Sequence, residues 1–230
     1  GDESNAVYTA EGSIEIVKST VVATATSAKG YSAIHSSEDL VIRDCDKVEA
    51  KSSGRRGIYA VGDITVSGST VTASGTVYEG MVAKGALRVE NASLTASTPS
   101  SYYALVAKHL EVAASEVTAA GGLGLYDYNT GAAEGISFSL TPASGKLLEL
   151  KVGSDKSGSG ARHFDLGAGS PYDTAVNFQQ NEMKQFQRYT YVHIGEHVHT
   201  GGTATCQDKA VCDDCGRGYG EVDPDSHSFT

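Results

Sequence analysis

The chain has no tryptophan, only 4 prolines and 4 cysteines in 230 residues, and 18 Lys and Arg against 28 Asp and Glu. Low proline beside 27 glycines excludes a collagen-like chain, and charged residues at 20% exclude a sequence too polar to fold. The shortage of cations leaves a formal charge of -10 and a pI near 5.1. With no basic stripe to offset it, nucleic acid and acidic membrane surfaces are not expected as partners. No apolar run approaches the ~20 residues of a membrane helix, so no membrane insertion is expected. The polar opening Gly1-Asp2-Glu3-Ser4 is what is expected of a chain whose targeting segment has been removed. Also missing are a Ser/His/Asp order, a phosphate-binding glycine loop and a dinucleotide fingerprint in any supporting context.

What is present is a repeat. Segments beginning at Ile14, Leu40, Ile64, Leu87 and Leu110 align, each with two short alternating strands around a small residue. Four apolar columns follow: Ile14, Leu40, Ile64, Leu87 and Leu110; Ile16, Ile42, Val66, Val89 and Val112; Val21, Val48, Val71, Leu94 and Val117; and Ala23, Ala50, Ala73, Ala96 and Ala119. A third strand precedes the pair at Ile34–Ser36, Ile58–Ala60, Met81–Ala83 and Leu105–Ala107. One such turn cannot cover its own apolar face, whereas stacked turns bury a continuous core. An antiparallel sandwich would not need the same residue types at the same offset in every turn. The fold expected is all-β, a right-handed parallel β-helix (solenoid), with the alanine column marking a tight corner.

Outward positions give the candidate surfaces. Thr72, Thr95 and Thr118 form a ladder, and Arg88 is expected beside Glu111. Tyr59 points outward beside His35 and Val82, with Tyr31, Tyr78, Tyr102, Tyr103, Tyr126 and Tyr128 in or near the turns. Such rings either pack over the corners of the coil or stack on the apolar faces of sugars. Tyr59 and His35 are the candidate ligand-binding residues on the second reading. No catalytic residue is assigned: Asp39 and Asp63 share a column, but its next positions are Ala86 and His109, and Asp44 and Asp46 lie in a loop beside Arg43.

Beyond about Leu125 the register weakens. Ile136–Leu140 and Leu147–Val152 read as strands of a last irregular turn covering the end of the coil, as a solenoid requires. The segment 172–188 fits either a short helix or an irregular clamp. The domains read from this are 1–152 β-helix repeats, 153–195 cap and connecting segment, and 196–230 a small Cys/His zinc-binding segment. Cys45 fills a between-strand column with Ser19, Ser69, Ala92 and Ser115, as a small buried residue. Cys206, Cys212 and Cys215 remain, an odd number for a disulfide framework. Their Cys-x5-Cys-x2-Cys spacing with a downstream histidine fits a structural Cys3His zinc site, Gly216 relieving the crowded turn. His227 is the expected fourth ligand and His199 the alternative. A disulfide with one free thiol is the competing account.

The run from His199 through Thr203-Ala204-Thr205-Cys206, Cys212-Asp213-Asp214-Cys215-Gly216 and Tyr219-Gly220 to His227 resembles a short Cys/His repeat of large cell-surface proteins of gut Firmicutes. The repeats ahead of it resemble β-helix modules of the pectate-lyase-like kind in architecture, without their catalytic residues. The resemblance implies export and attachment to the cell surface as part of a longer polypeptide. The function expected is an extracellular, non-enzymatic binding or adhesion module with a glycan, or a host or cell-surface protein, as partner. The alternatives are a polysaccharide lyase and a spacer.

Overall fold

The computed structural model describes residues 5–27, 30–164 and 172–226. It divides into two compact units, Gly1–Glu196 and His197–Thr230.

Unit 1 is a parallel β-helix. Its first turn holds β1 (Val7–Tyr8), β2 (Ile14–Val17) and β3 (Thr20–Ala25), its second β4 (Ile34–Ser36), β5 (Leu40–Arg43) and β6 (Lys47–Ser52), and its third β7 (Ile58–Ala60), β8 (Ile64–Ser67) and β9 (Thr70–Gly75). In the fourth and fifth turns the first two strands merge, giving β10 (Met81–Glu90) with β11 (Ser93–Ser97), then β12 (Leu105–Ala113) with β13 (Glu116–Ala120). Parallel pairing runs from turn to turn in the register of the repeat. Ile14 meets Leu40, Leu40 meets Ile64, Ile64 meets Leu87 and Leu87 meets Leu110, while Val48, Val71, Leu94 and Val117 stack in the second sheet. From Leu40 onward these residues are almost wholly buried, and the outward Thr72, Thr95 and Thr118 are partly exposed. Arg88 lies opposite Glu111 as expected, although its shorter contact is to Asp63 at 2.7 Å.

The tight corner is not at the alanine column. Ala23, Ala50, Ala73, Ala96 and Ala119 lie buried within strands. The chain reverses earlier, at Lys18, Asp44, Gly68, Asn91 and Ala114, all with positive φ between 47° and 56°. Left-handed backbone is costly for residues other than glycine, Asn and Asp, and at three of the five corners a serine follows that braces the turn. The hydroxyls of Ser19, Ser69 and Ser115 each donate to the carbonyl two residues back at 2.7 Å. Ser69 and Ser115 also accept the backbone N–H of Cys45 and Ala92 from the preceding turn, at 2.9 and 3.1 Å. Cys45 is buried in this column, as its neighbours require.

Past the fifth turn, β14 (Leu123–Leu125) and β15 (Ser137–Thr141) keep the parallel register, with Phe138 on Leu110 and Leu140 on Val112. The second sheet closes differently. β16 (Leu148–Gly153) is flanked by the short β17 (Arg162–His163); then come β18 (Val176–Asn177), helix α1 (Gln180–Phe186) and β19 (Tyr191–Glu196). β19 runs antiparallel between β13 and β16, placing Ile194 on Val117 and Val192 on Ala119, so the apolar columns end on a reversed strand. The segment left open between helix and clamp contains this helix, which buries Met183 and Phe186. Phe186 packs edge-on against Phe138, 5.2 Å between ring centroids.

Unit 2 is built on a hairpin of β20 (Ala210–Val211) and β21 (Gly218–Tyr219).

Candidate metal centre and aromatic surface

The hairpin of unit 2 turns through Cys212-Asp213-Asp214-Cys215-Gly216. The Gly216 N–H donates to the Cys212 carbonyl at 2.8 Å, the Cys212 N–H donates to the Arg217 carbonyl at 2.9 Å, and Gly216 takes φ 69°, which a glycine adopts without strain. This brings both thiols to one side of the turn. The segment His197–Thr200 is tied to it by the Asp213 N–H donating to the Thr200 carbonyl at 3.0 Å and the Thr200 N–H donating to Cys212 Sγ at 3.5 Å.

His197, His199, Cys212 and Cys215 thereby converge, with one ligand atom from each all within 4.8 Å of one another, close enough to hold a metal ion. His197 Nε2 lies 3.6 Å from Cys212 Sγ, and His199 Nδ1 lies 3.5 Å from Cys215 Sγ. The His199 ring is stacked on Tyr219, centroids 5.0 Å apart and planes inclined by 17°. Burial opposes ionisation of Cys212, but the Thr200 N–H, the His199 ring and the backbone at Cys215 and Asp214 outweigh it and hold this thiol down at about 5. Burial and the neighbouring Cys212 push Cys215 the other way.

This donor set differs from the one expected by spacing. Cys212, Cys215 and His199 are in it. Cys206 is not: it sits in a turn closed by the Thr205 N–H donating to the Asp208 carbonyl at 2.8 Å, with the Thr205 hydroxyl accepting from Gln207 and Asp208. His197 stands in the cluster instead, and His227 lies outside the described residues. The missed signal was the His-x-His spacing, which in extended chain directs both rings to one side. All four cysteines of the chain are free thiols.

The second candidate surface is the outward row of the third-strand column. Tyr8, His35 and Tyr59 are partners in register on β1, β4 and β7, and their rings meet edge to face at 5.2 and 4.9 Å. Tyr8 is 56% exposed, and His35 and Tyr59 are half-buried. The next residue in the row, Val82, is buried, because the loop carrying Tyr126, Asp127, Tyr128 and Asn129 lies over this face. Beneath that loop Arg56 pairs with Glu79 at 2.8 Å, both buried, and donates to the Tyr128 hydroxyl. The Arg56 guanidinium also lies over the rings of Tyr59, Tyr78 and Tyr128 at 4.9 to 5.4 Å. Tyr59 thus packs over the coil on one side while remaining partly open on the other. Burial, then Arg55 and Arg56, lower the pKa of His35.

The two carboxylates of the acidic column act within the scaffold. Asp39 Oδ1 accepts the Asp63 N–H and Asp63 Oδ1 accepts the Ala86 N–H, each at 2.8 Å, so each aspartate ties its turn to the next. In the other loop, Arg43 pairs with Glu15 at 2.7 Å, and Asp44 forms the left-handed corner.

Comparison with protein-family models, with curated proteins and with solved structures finds no match to this chain.

Proposed function

We propose that this chain is an extracellular, non-enzymatic binding or adhesion module that takes a glycan along the outward row of its β-helix. The observation that carries the reading is the Tyr8, His35, Tyr59 row, three rings from consecutive turns held in register on a rigid sheet. Consecutive strands of a sheet lie about 4.8 Å apart, so the row offers ring edges and faces at an interval on which a sugar chain can lie lengthwise. Aromatic rings present an apolar surface that pyranose faces cover, and a surface built on strands is already organised before the ligand arrives. The setting at a cell surface, within a longer polypeptide, rests on the resemblance of the Cys/His segment. A glycan array probed with the wild-type protein and with Tyr59→Ala tests the reading, beside a lyase assay on polygalacturonate. Wild-type binding lost in the variant supports it. Turnover of the polymer would make the chain an enzyme, and silence in both would make the β-helix a spacer.

For unit 2 we infer that the ion is zinc and that its role is structural. Zn–S near 2.3 Å and Zn–N of 2.0–2.1 Å put a sulfur and a nitrogen on a tetrahedral zinc roughly 3.5 Å apart. The two sulfur–nitrogen separations of 3.6 and 3.5 Å agree with that edge length. Two thiolates and two imidazoles also fill all four positions, leaving none for a reacting water.

A further inference from the structure

The face around the aromatic row differs in charge from the chain that carries it. The whole protein has a formal charge of -10, which read globally disfavours any anionic partner. Among the described residues two carboxylates near the row are already engaged: Glu79 pairs with buried Arg56, and Asp127 pairs with Lys108 at 2.9 Å. Lys84 Nζ lies 5.9 Å from the ring centroids of both Tyr59 and Tyr128, and its hydrogen bond, 2.8 Å long, goes to the neutral Asn129 side chain. Exposed Arg55 reaches the Gly30 carbonyl at 3.4 Å. Among the described residues neither Lys84 nor Arg55 has a carboxylate partner. Arg55 lies close enough to the row that its charge, with that of Arg56 and after burial, lowers the pKa of His35.

We propose that the Tyr8, His35, Tyr59 row takes an acidic glycan, whose sugar rings carry a carboxylate or a sulfate, with Lys84 and Arg55 as the groups that meet the anion. This rests on the glycan reading of the same row and adds the class of ligand to it. A half-buried ammonium held against two tyrosine rings loses less side-chain freedom on binding than a free surface lysine, and its ion pair is less screened. The charge of the rest of the molecule is screened beyond roughly 8 Å at physiological ionic strength, so the local pair of cations governs the contact. The sugar ring supplies apolar area for the tyrosines, which a bare polyanion lacks.

The test is binding to the full chain at about 0.15 M salt. The probes are a hyaluronan oligosaccharide, bearing carboxylate alone, a chondroitin sulfate oligosaccharide, bearing both groups, a neutral chitin oligosaccharide of the same length, and inorganic polyphosphate. The expected result is that at least one acidic sugar binds about tenfold tighter than the neutral one, a difference that Lys84→Gln and, separately, Arg55→Gln reduce. Comparing the two acidic probes tells carboxylate from sulfate, and near-ultraviolet circular dichroism confirms that each variant is folded. Neutral and acidic sugars binding alike would overturn the acidic assignment and leave the glycan reading standing. Polyphosphate binding as tightly as the acidic sugars, and unchanged in Tyr59→Ala, would reduce the patch to a general anion surface and overturn the proposal. No sugar binding at all would remove both readings together.

Discussion

Asp63 reaches across one turn of the coil to accept the backbone N–H of Ala86 at 2.8 Å, and the residue between them in space, Gly85, has no room for a side chain: a Cβ there would collide with Asp63 Oδ1. Gly62 stands in the same relation to Asp39. Gly85→Ala is therefore expected to evict the carboxylate and orphan the buried Ala86 N–H, at a cost of about 1–3 kcal/mol. Asp63→Ala should cost a similar amount, and the double variant little more than either alone, because each removes the same bond. Urea unfolding of the three variants measures this, and full additivity would refute the coupling.

Asp63 also gives a pH dependence with a definite sign. Burial works to raise its pKa, but the Ala86 N–H and the Arg88 guanidinium outweigh burial and hold it below the ordinary carboxylate value. A depressed native pKa stabilises the fold fully above the unfolded value, about 3.9, and the contribution disappears as pH falls through the native value. Between pH 5 and pH 3, roughly, the wild type should lose stability more steeply than Asp63→Asn, as read from unfolding midpoints. Equal slopes in the two proteins would mean that Asp63 titrates normally in the native state.

The buried pair of Arg56 and Glu79 should show the asymmetry of enclosed charges. Removing one partner leaves the other uncompensated beneath the Tyr128 loop, so Arg56→Ala should cost about 3–5 kcal/mol in denaturant unfolding. Replacing both by apolar residues of similar volume should cost much less, since no buried charge is then stranded. A double variant as unstable as Arg56→Ala would show instead that the tyrosine contacts of the guanidinium hold this face together.

The columns were legible in the sequence because a solenoid repeats its burial pattern at one offset. Leu87 is the fourth member of its column, fully buried between Ile64 and Leu110. Leu87→Ala should cost about 2–5 kcal/mol, and Leu87→Asp should prevent folding, because an unpaired carboxylate would stand inside the coil. A folded Leu87→Asp, judged by circular dichroism, would contradict the burial of that column.

Other features were hidden for physical reasons. The true corner passes through Lys18, Asp44, Gly68, Asn91 and Ala114, side chains too unlike to betray a shared backbone conformation, which a following serine helps to hold after Lys18, Gly68 and Ala114. The closing strand β19 comes from a segment remote in sequence from β13, and reversing its direction breaks the offset by which the parallel turns were recognised. In unit 2 the CxxCG turn was legible, whereas counting thiols gave Cys206 a place that the chain path gives to His197.

That exchange decides how the metal centre responds to substitution. If the ion is held by His197, His199, Cys212 and Cys215, Cys206→Ser should keep a stoichiometric zinc, while Cys212→Ser, Cys215→Ser and His197→Ala should each lose it. Unit 2 contains little apolar area of its own, with Cys212 the sole buried apolar side chain among its described residues, so metal binding and folding should be a single event there. Chelation should collapse the amide signals of His197–Thr230 in a nuclear magnetic resonance spectrum while those of the β-helix persist. Tyr219→Ala, which removes the ring stacked on His199, should weaken zinc binding by roughly tenfold or more, as loss of an orienting group around a metal ligand does. Metal analysis of protein purified without chelator separates the accounts. Zinc retained in Cys206→Ser supports the two-cysteine, two-histidine set, zinc lost in that variant restores Cys206 as a ligand, and a metal-free protein two protons light in mass establishes a disulfide in its place.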